Sequence, residues 1–215
     1  MKNDIIKGII FDLDGVLLFT DKYHYMAWKA LADKLNIPFD EKVNDRLRGV
    51  SRMDSLEIIL SYSDQTFSSA EKEVMAEEKN GLYRSFLQKM TPSDVSDETR
   101  AVLEKLREMG LKLAIGSSSK NTPLILEKTD LAKYFHAVSD GNNISRSKPD
   151  PEVFLKAAAY LNLKPSECIV VEDAEAGIDA GRAGGFTTVG IGCAAQYEKT
   201  DRPIKSLAEL IDYNF

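Results

Sequence analysis

The outer parts of the chain alternate short apolar runs with amphipathic segments. The apolar run at residues 9–11 predicts a buried strand, and further strands are predicted near residues 111–115, 135–139, 168–171 and 186–191. Helical spacing of apolar positions separates these runs, for example at about residues 97–109 and 151–161. Strands that alternate with helices in this way are typical of a parallel sheet covered on both faces. The predicted fold class is therefore α/β, with a doubly wound, Rossmann-like parallel sheet.

The segment from about residue 20 to residue 90 has a helical pattern throughout. His24, Trp28, Leu31 and Leu35 recur at the spacing of one helix face. Because this segment interrupts the strand–helix alternation just after the first strand, we expect it to form an inserted α-helical cap domain. The predicted boundaries are residues 20–90 for the cap and residues 1–19 and 91–215 for the α/β core.

Three helix starts are predicted from residues that satisfy unpaired backbone N–H groups. Ser51 and Ser68 each precede a helical pattern and have an acidic residue three positions later, as N-caps do. Thr122 is expected to be an N-cap that is followed by Pro123 at the first helical position.

Composition and charge exclude several classes of protein. The net charge of −6 and the lack of a long basic run disfavour non-specific nucleic-acid binding. No apolar stretch approaches the ~18 residues of a membrane span, and the polar N-terminus does not resemble a signal peptide. Cys168 and Cys193 form neither a disulfide framework nor a metal cluster. We therefore expect a soluble, cytoplasmic, monomeric protein that binds neither nucleic acid nor membrane.

Polar clusters follow four of the predicted strands. Asp12 and Asp14 end the first strand, residues 117–121 end the second, Lys148-Pro149 comes after the third, and Glu172-Asp173 ends the fourth. Ligands of open parallel sheets bind beyond the carboxyl ends of the strands. These four clusters therefore predict one shared site.

The aspartates at the first strand end suggest metal-dependent phosphoryl transfer. Asp12 and Asp14 are two residues apart, so that both carboxylates point to one side of an extended strand and repel each other without a cation. Mg²⁺ binds through one or two carboxylates, waters and substrate phosphate, and Asp173 can add a further oxygen. A carboxylate held in this way can attack phosphorus. The two aspartates alone are equally compatible with a simple turn, but Val16 excludes an EF-hand calcium loop.

The ordered set of motifs resembles the haloacid dehalogenase-like phosphotransferases over nearly the whole chain. The motifs are Phe11-Asp12-Leu13-Asp14-Gly15-Val16, Ile115-Gly116-Ser117, Lys148-Pro149 and Val171-Glu172-Asp173. The resemblance implies that Asp12 is the nucleophile and Asp14 the general acid/base, and that Ser117 and Lys148 hold the transferring phosphoryl group. It also implies a Mg²⁺ cofactor positioned by Asp12, Asp14 and Asp173, with Glu172 beside them.

Residues 23–32, 48–56 and 119–121 resemble more narrowly the β-phosphoglucomutases, which interconvert β-glucose 1-phosphate and glucose 6-phosphate through the 1,6-bisphosphate. The expected ligand is thus a small phosphorylated sugar. The resemblance places a second phosphate on Arg52 and on Ser119, Lys120 and Asn121. It places the sugar near His24, Trp28, Gly49, Val50, Ser51 and Lys79. A core role for Trp28 and surface roles for Arg52 and Lys79 remain open alternatives.

The sequence departs from that pattern at two positions near the motifs. Phe19 precedes Thr20, where relatives commonly have an acidic residue, and Ser118 replaces the usual alanine. A sugar-phosphate phosphatase of the same family is the competing interpretation, since water can replace the second sugar phosphate as acceptor. The paired phosphate contacts at Arg52 and residues 119–121 favour the mutase. A non-catalytic binding module is disfavoured because every catalytic position is intact.

Overall fold

The computed structural model describes residues 5–47 and 50–212, and within them six parallel strands form one sheet. The strand order is β3-β2-β1-β4-β5-β6. The strands are β1 (Gly8–Phe11), β2 (Lys112–Gly116), β3 (Ala137–Ser139), β4 (Cys168–Glu172), β5 (Thr187–Gly190) and β6 (Arg202–Pro203). The predicted doubly wound α/β class is confirmed.

The first strand lies in the middle of the sheet because it is apolar on both faces. Ile9 and Phe11 pack into one hydrophobic cluster, whereas Ile10 packs into a second cluster on the opposite face. In the register of the sheet, Phe11 lies between Ile115 of β2 and Val171 of β4. A strand buried on both sides requires helices on both faces.

Four helices cover the two faces of this sheet. Apolar residues of α5 (Asp97–Glu108) and α6 (Thr122–Thr129) pack in the cluster that holds Phe11. Residues of α7 (Glu152–Tyr160) and α8 (Glu175–Ala183) pack in the cluster that holds Ile10. This division is that of a doubly wound fold.

The first four helices, which lie between β1 and α5, form the cap. They are α1 (Asp21–Lys34), α2 (Glu41–Asp45), α3 (Arg52–Leu60) and α4 (Ser69–Leu87). Trp28, Leu56 and Ile59 belong to a hydrophobic cluster made of cap residues, whereas Tyr83 and Leu87 at the end of α4 pack in the cluster of the core. We propose residues 20–90 as the extent of this cap.

Two of the three predicted helix starts are confirmed. The Ser51 side chain accepts a hydrogen bond from the Asp54 amide at the start of α3, and Ser68 forms a full capping box with Glu71 before α4. The prediction for Thr122 is wrong by one residue, because α6 begins at Thr122 itself and Asn121 is the N-cap. The Thr122 hydroxyl instead donates to the Ser119 carbonyl, which secures the preceding loop.

The sequence did not predict β6, which is a two-residue, exposed edge strand. Pro203 lies in it, and proline is tolerated at a sheet edge because no ladder partner needs its missing N–H. Among the described residues, no helix is both long enough and apolar enough to cross a lipid bilayer.

Candidate active site

A cavity of about 960 Å³ lies between the cap and the carboxyl ends of the strands. Its lining includes each predicted site residue of the ranges 5–47 and 50–212, from the core and from the cap alike. Gly49 is a predicted site residue that lies outside the described residues. The four polar clusters predicted at the strand ends therefore meet at a single site.

Lys148 links the ends of two neighbouring strands. Its ammonium group donates hydrogen bonds to Asp12 Oδ1, just after β1, and to Glu172 Oε1 at 2.5 Å, at the end of β4. Burial of Lys148 opposes its charge, but the carboxylates of Asp12 and Glu172 outweigh burial and hold its pKa above the ordinary lysine value. A fixed positive charge is thus held against Asp12.

Glu172 is fully engaged by the protein. While Oε1 accepts from Lys148, Oε2 accepts from the amides of Asp173 and Ala174 at 2.9 and 3.0 Å. A Cβ atom at Gly177 would lie 1.9 Å from the Glu172 carboxyl carbon, so only glycine at that position leaves room for this arrangement. Burial raises the pKa of Glu172. Glu172 therefore contacts both the Lys148 ammonium group and the backbone that follows β4.

Asp14 is held by the first residues of the cap. Its Oδ1 accepts from the Thr20 amide at 2.6 Å, and its Oδ2 accepts from the Thr20 hydroxyl. The Thr20 hydroxyl also lies 2.9 Å from the Tyr83 hydroxyl. Burial raises the pKa of Asp14 to about 7, although the hydrogen bonds from Thr20 oppose this shift. A carboxyl group with this pKa can both donate and accept a proton near neutral pH.

The carboxylates at the ends of β1 and β4 repel one another. Burial, followed by the charges of Glu172, Asp12 and Asp14, raises the pKa of Asp173 to about 8. Gly15 permits the close approach of the two strand ends, because its φ is +87° and a Cβ there would lie 2.1 Å from Asp173 Oδ2. A bound cation would relieve this repulsion.

The carboxylates at the strand ends fit Mg²⁺, but they do not fit a metal ion that needs three or more protein side chains as ligands. In the described ranges, no group of three His, Cys, Asp or Glu side chains is arranged to hold a metal ion. Mg²⁺ does not require such a group, since it keeps several waters and binds one or two carboxylates together with substrate phosphate. The carboxylate oxygens available here suit Mg²⁺ better than soft metals.

On the cap side, Lys79 is surrounded by aromatic rings. Its ammonium group lies 4.3 Å from the centre of the Trp28 ring, 4.8 Å from that of Tyr83 and 2.9 Å from His24 Nδ1. Burial and the nearby Arg52 lower the pKa of Lys79 to about 7, against the opposing charge of Asp14. Burial and the charges of Lys79 and Arg52 lower the pKa of His24, so its imidazole is neutral. Trp28 was expected either to pack in the core or to face the sugar. In the structure its side chain packs in the hydrophobic cluster of the cap and also lines the cavity.

The start of α3 brings the other cap residues to the cavity. Val50 is partly buried, and Ser51 donates its hydroxyl to Asp54 as well as capping the helix. Arg52 is the first residue of α3, and its Nη1 donates to Glu77 Oε2 at 3.3 Å.

The loop after β2 provides the core side of the site. Ser117 is buried, and its hydroxyl oxygen accepts from the Ser119 amide at 3.3 Å. Lys120 is exposed and lines the cavity. Asn121 is buried and crosses to the cap, where it donates to Asn80 Oδ1 at 2.9 Å and accepts from Arg84 at 3.1 Å.

Sequence reasoning assigned no site role to several polar residues that the structure brings to this region. They are Thr20, Glu77, Asn80, Tyr83 and Arg84. Four of them lie on α4, within one and a half turns of Lys79. Helical spacing was the available signal for Tyr83, which lies four positions after Lys79 and therefore shares its helix face.

Comparisons with known proteins agree with the geometry. The model of the haloacid dehalogenase-like hydrolases matches residues 6–185. The β-phosphoglucomutase of Bacillus subtilis is 39% identical over 207 residues, which cover 95% of this chain and 92% of the relative. A crystal structure of β-phosphoglucomutase from Clostridium difficile has a TM-score of 0.89 and 38% identity, and the match covers 96% of this chain and 93% of that one.

A phosphatase is also among the relatives. The phosphorylated carbohydrates phosphatase of Thermotoga maritima is 29% identical, over 86% of this chain and 84% of the relative. Mutases and phosphatases thus share this fold, and the match of the family model over most of the sequence shows that the chain belongs to the haloacid dehalogenase-like hydrolase family.

Proposed function

We propose that this protein is a Mg²⁺-dependent mutase that interconverts β-glucose 1-phosphate and glucose 6-phosphate through the 1,6-bisphosphate. The observation that carries the proposal is a cavity that is lined by cationic side chains on both its core side and its cap side. Asp12 and Lys148 lie at the strand ends, whereas Arg52 lies on the cap side of the same cavity. The similarity to β-phosphoglucomutases at 38–39% identity supports this assignment.

Asp12 is the proposed nucleophile. A carboxylate oxygen of Asp12 attacks phosphorus, the bond between phosphorus and the sugar oxygen breaks, and an aspartyl phosphate forms. Lys148 neutralises charge on the phosphoryl oxygens, and Ser117 donates a hydrogen bond to them. Glu172 holds Lys148 in place through its Oε1.

Asp14 is the proposed general acid and base. In the first transfer it protonates the sugar oxygen that leaves, and in the second it removes the proton from the sugar hydroxyl that attacks the aspartyl phosphate. Its pKa of about 7 suits both steps. The hydroxyl and amide of Thr20 hold the carboxyl group in position.

Of the four predicted metal ligands, we propose Asp12 and Asp173 as the side chains that hold Mg²⁺. Both oxygens of Asp14 accept from Thr20, and both oxygens of Glu172 accept from other donors. When bound, Mg²⁺ supplies positive charge that favours attack of one anion on another.

The cap residues are proposed to hold the sugar and its second phosphate. Arg52 binds the distal phosphate through two parallel hydrogen bonds, helped from the core by Ser119, Lys120 and Asn121. His24, Trp28, Val50, Ser51 and Lys79 line the space for the sugar ring. A sugar that bridges cap and core favours closure, which excludes water from the aspartyl phosphate.

The decisive experiment follows the fate of the phosphoryl group. Purified protein is given β-glucose 1-phosphate, Mg²⁺ and a trace of the bisphosphate, and phosphorus NMR monitors glucose 6-phosphate and inorganic phosphate together. The mutase forms glucose 6-phosphate as the main product. Inorganic phosphate as the main product would instead establish the sugar-phosphate phosphatase.

Asp12→Asn provides the matched test of the nucleophile. The substitution keeps the shape of the side chain but removes the attacking charge, so turnover should fall by about a thousandfold or more. Circular dichroism serves as the control that the variant is folded. A folded variant that retains a tenth of wild-type turnover would rule out this role for Asp12.

A further inference from the structure

The guanidinium group of Arg52 is paired with the carboxylate of Glu77. Glu77 projects from α4 toward the start of α3, and its Oε2 accepts from Arg52 Nη1 at 3.3 Å. Its Oε1 accepts from Asn80 Nδ2 at 3.4 Å. Both Arg52 and Glu77 line the cavity, so this ion pair lies within the proposed sugar-phosphate site.

Glu77 offsets part of the positive charge around Arg52. Burial lowers the pKa of Arg52, the carboxylate of Glu77 opposes this shift, and the positive charge of Arg84 adds to it. The positive charge of Arg52 also lowers the pKa of the nearby Lys79. Ligand phosphate would bring negative charge to the same place, and it would therefore replace Glu77 as the partner of Arg52.

The two partners differ in exposure, which makes the pair easy to separate. The Arg52 side chain is 27% exposed, whereas that of Glu77 is 72% exposed. The carboxylate of Glu77 is already largely hydrated, so it can separate from Arg52 at little cost in free energy. A partly exposed ion pair of this kind is weak. Phosphate can form two parallel, charge-assisted hydrogen bonds with a guanidinium group, which favours phosphate over a single long contact.

We propose that Glu77 is an internal competitor for the distal phosphate: it binds Arg52 in the ligand-free protein and is displaced when the sugar phosphate enters. The inference rests on the proposed role of Arg52. It also has a consequence for the reaction, because the same Asp12 must meet both phosphates of the bisphosphate in turn. The intermediate must leave Arg52 in order to exchange its ends, and the return of Glu77 assists this release.

Equilibrium binding tests the proposal without turnover. In an Asp12→Asn background, calorimetry measures the dissociation constant of β-glucose 1,6-bisphosphate with Mg²⁺ present. Additional Glu77→Gln should tighten binding about 1.5- to 5-fold, which is the range expected for release of a partly exposed ion pair. The gain should shrink as salt is raised, because salt screens the pair that the substitution removes.

Two glutamates of the same helix provide matched controls. Glu73 lines the same cavity one helical turn earlier, and Glu78 pairs with Lys34 on the cap surface. Glu73→Gln and Glu78→Gln should each change the dissociation constant less than Glu77→Gln does. An equal gain from Glu73→Gln would mean that general charge in the cavity matters, and would overturn the proposal.

The Arg52→Ala background separates this inference from the proposed function. There, Glu77→Gln should have no effect, since the pair is already absent, and a persistent gain would overturn the inference. If Arg52→Ala weakens binding but Glu77→Gln leaves it unchanged or weaker, the internal competition is refuted while the distal-phosphate role of Arg52 stands. If Arg52→Ala binds as tightly as its parent, the role of Arg52 fails first, and the competition fails with it.

Discussion

At the scale of single residues, two aspartates two positions apart have been given different environments. Asp12 accepts a hydrogen bond from the Lys148 ammonium group, whereas Asp14 is buried and accepts hydrogen bonds from the neutral amide and hydroxyl groups of Thr20. The first environment keeps a carboxylate next to a cation, and the second raises the pKa to about 7. These two environments support the proposed roles of Asp12 as nucleophile and Asp14 as proton carrier.

Asp14→Asn should therefore have an effect that depends on the leaving group. Transfer from β-glucose 1-phosphate should slow by about a hundredfold or more, because the sugar oxygen needs a proton. Transfer from 4-nitrophenyl phosphate should slow far less, since that leaving group departs without one. Steady-state rates on both substrates are the measurement.

Glu73→Gln is the control, since Glu73 is a carboxylate that lines the same cavity without a proposed catalytic role. It should leave the ratio of the two rates close to that of the wild type. Equal losses on both substrates for Asp14→Asn would mean that Asp14 acts on something other than the leaving oxygen.

At the scale of elements, the sequence predicted what depends on local patterns. The strand β1, the capping box at Ser68 and the N-cap at Ser51 follow from neighbouring residues and are confirmed. The N-cap prediction at Thr122 was wrong by one residue, although asparagine is at least as favourable an N-cap as threonine and Asn121 directly precedes it. The long-range pairs across the cavity could not be predicted, since Asn80 and Asn121 meet only after the cap has docked on the core.

The buried face of α4 has a measurable electrostatic cost at Lys79. Its pKa of about 7 lies below the ordinary value of 10.5, so below pH 7 the folded protein must hold a buried charge. As the pH rises through 7, the folded protein releases this proton while the unfolded chain keeps it, and stability therefore increases. Lys79→Met should raise the free energy of unfolding by about 1–3 kcal/mol at pH 6, and by less at pH 9.

Urea denaturation at pH 6, 7.5 and 9 checks this expectation. Lys72→Met, a substitution of a partly exposed lysine on the same helix that pairs with Glu57, is the matched control. Its effect should not follow the same pH dependence. A difference between Lys79→Met and wild type that stays constant from pH 6 to pH 9 would contradict the buried-charge argument.

At the scale of the whole molecule, bound metal would join strand ends that are distant in the chain. Asp12 follows β1 and Asp173 follows β4, and these two strands are neighbours in the sheet. Mg²⁺ should therefore raise the melting temperature as well as support turnover, because a ligand that binds only the folded state stabilises it. Chelation should abolish activity, and added Mg²⁺ should restore it.

Melting curves with and without Mg²⁺ provide a readout that is independent of activity. Asp173→Asn should lose most of the Mg²⁺-dependent rise in melting temperature. Asp179→Asn, a substitution on α8 that weakens the partly exposed ion pair with Lys199, should keep it. Full turnover in excess chelator would contradict the proposed cofactor.

The central position of β1 has a consequence for synthesis on the ribosome. Phe11 pairs with Ile115 of β2 and Val171 of β4. The first strand to leave the exit tunnel therefore cannot form its sheet contacts until both neighbouring strands have been synthesised. The hydrophobic cluster of the cap, by contrast, is complete once residue 76 has emerged. Because nearby contacts form before distant ones, the nascent chain should fold its cap first and hold Asp12 unpartnered until Lys148 is translated. The proposed nucleophile is thus among the earliest residues made and should be among the last to gain its partners.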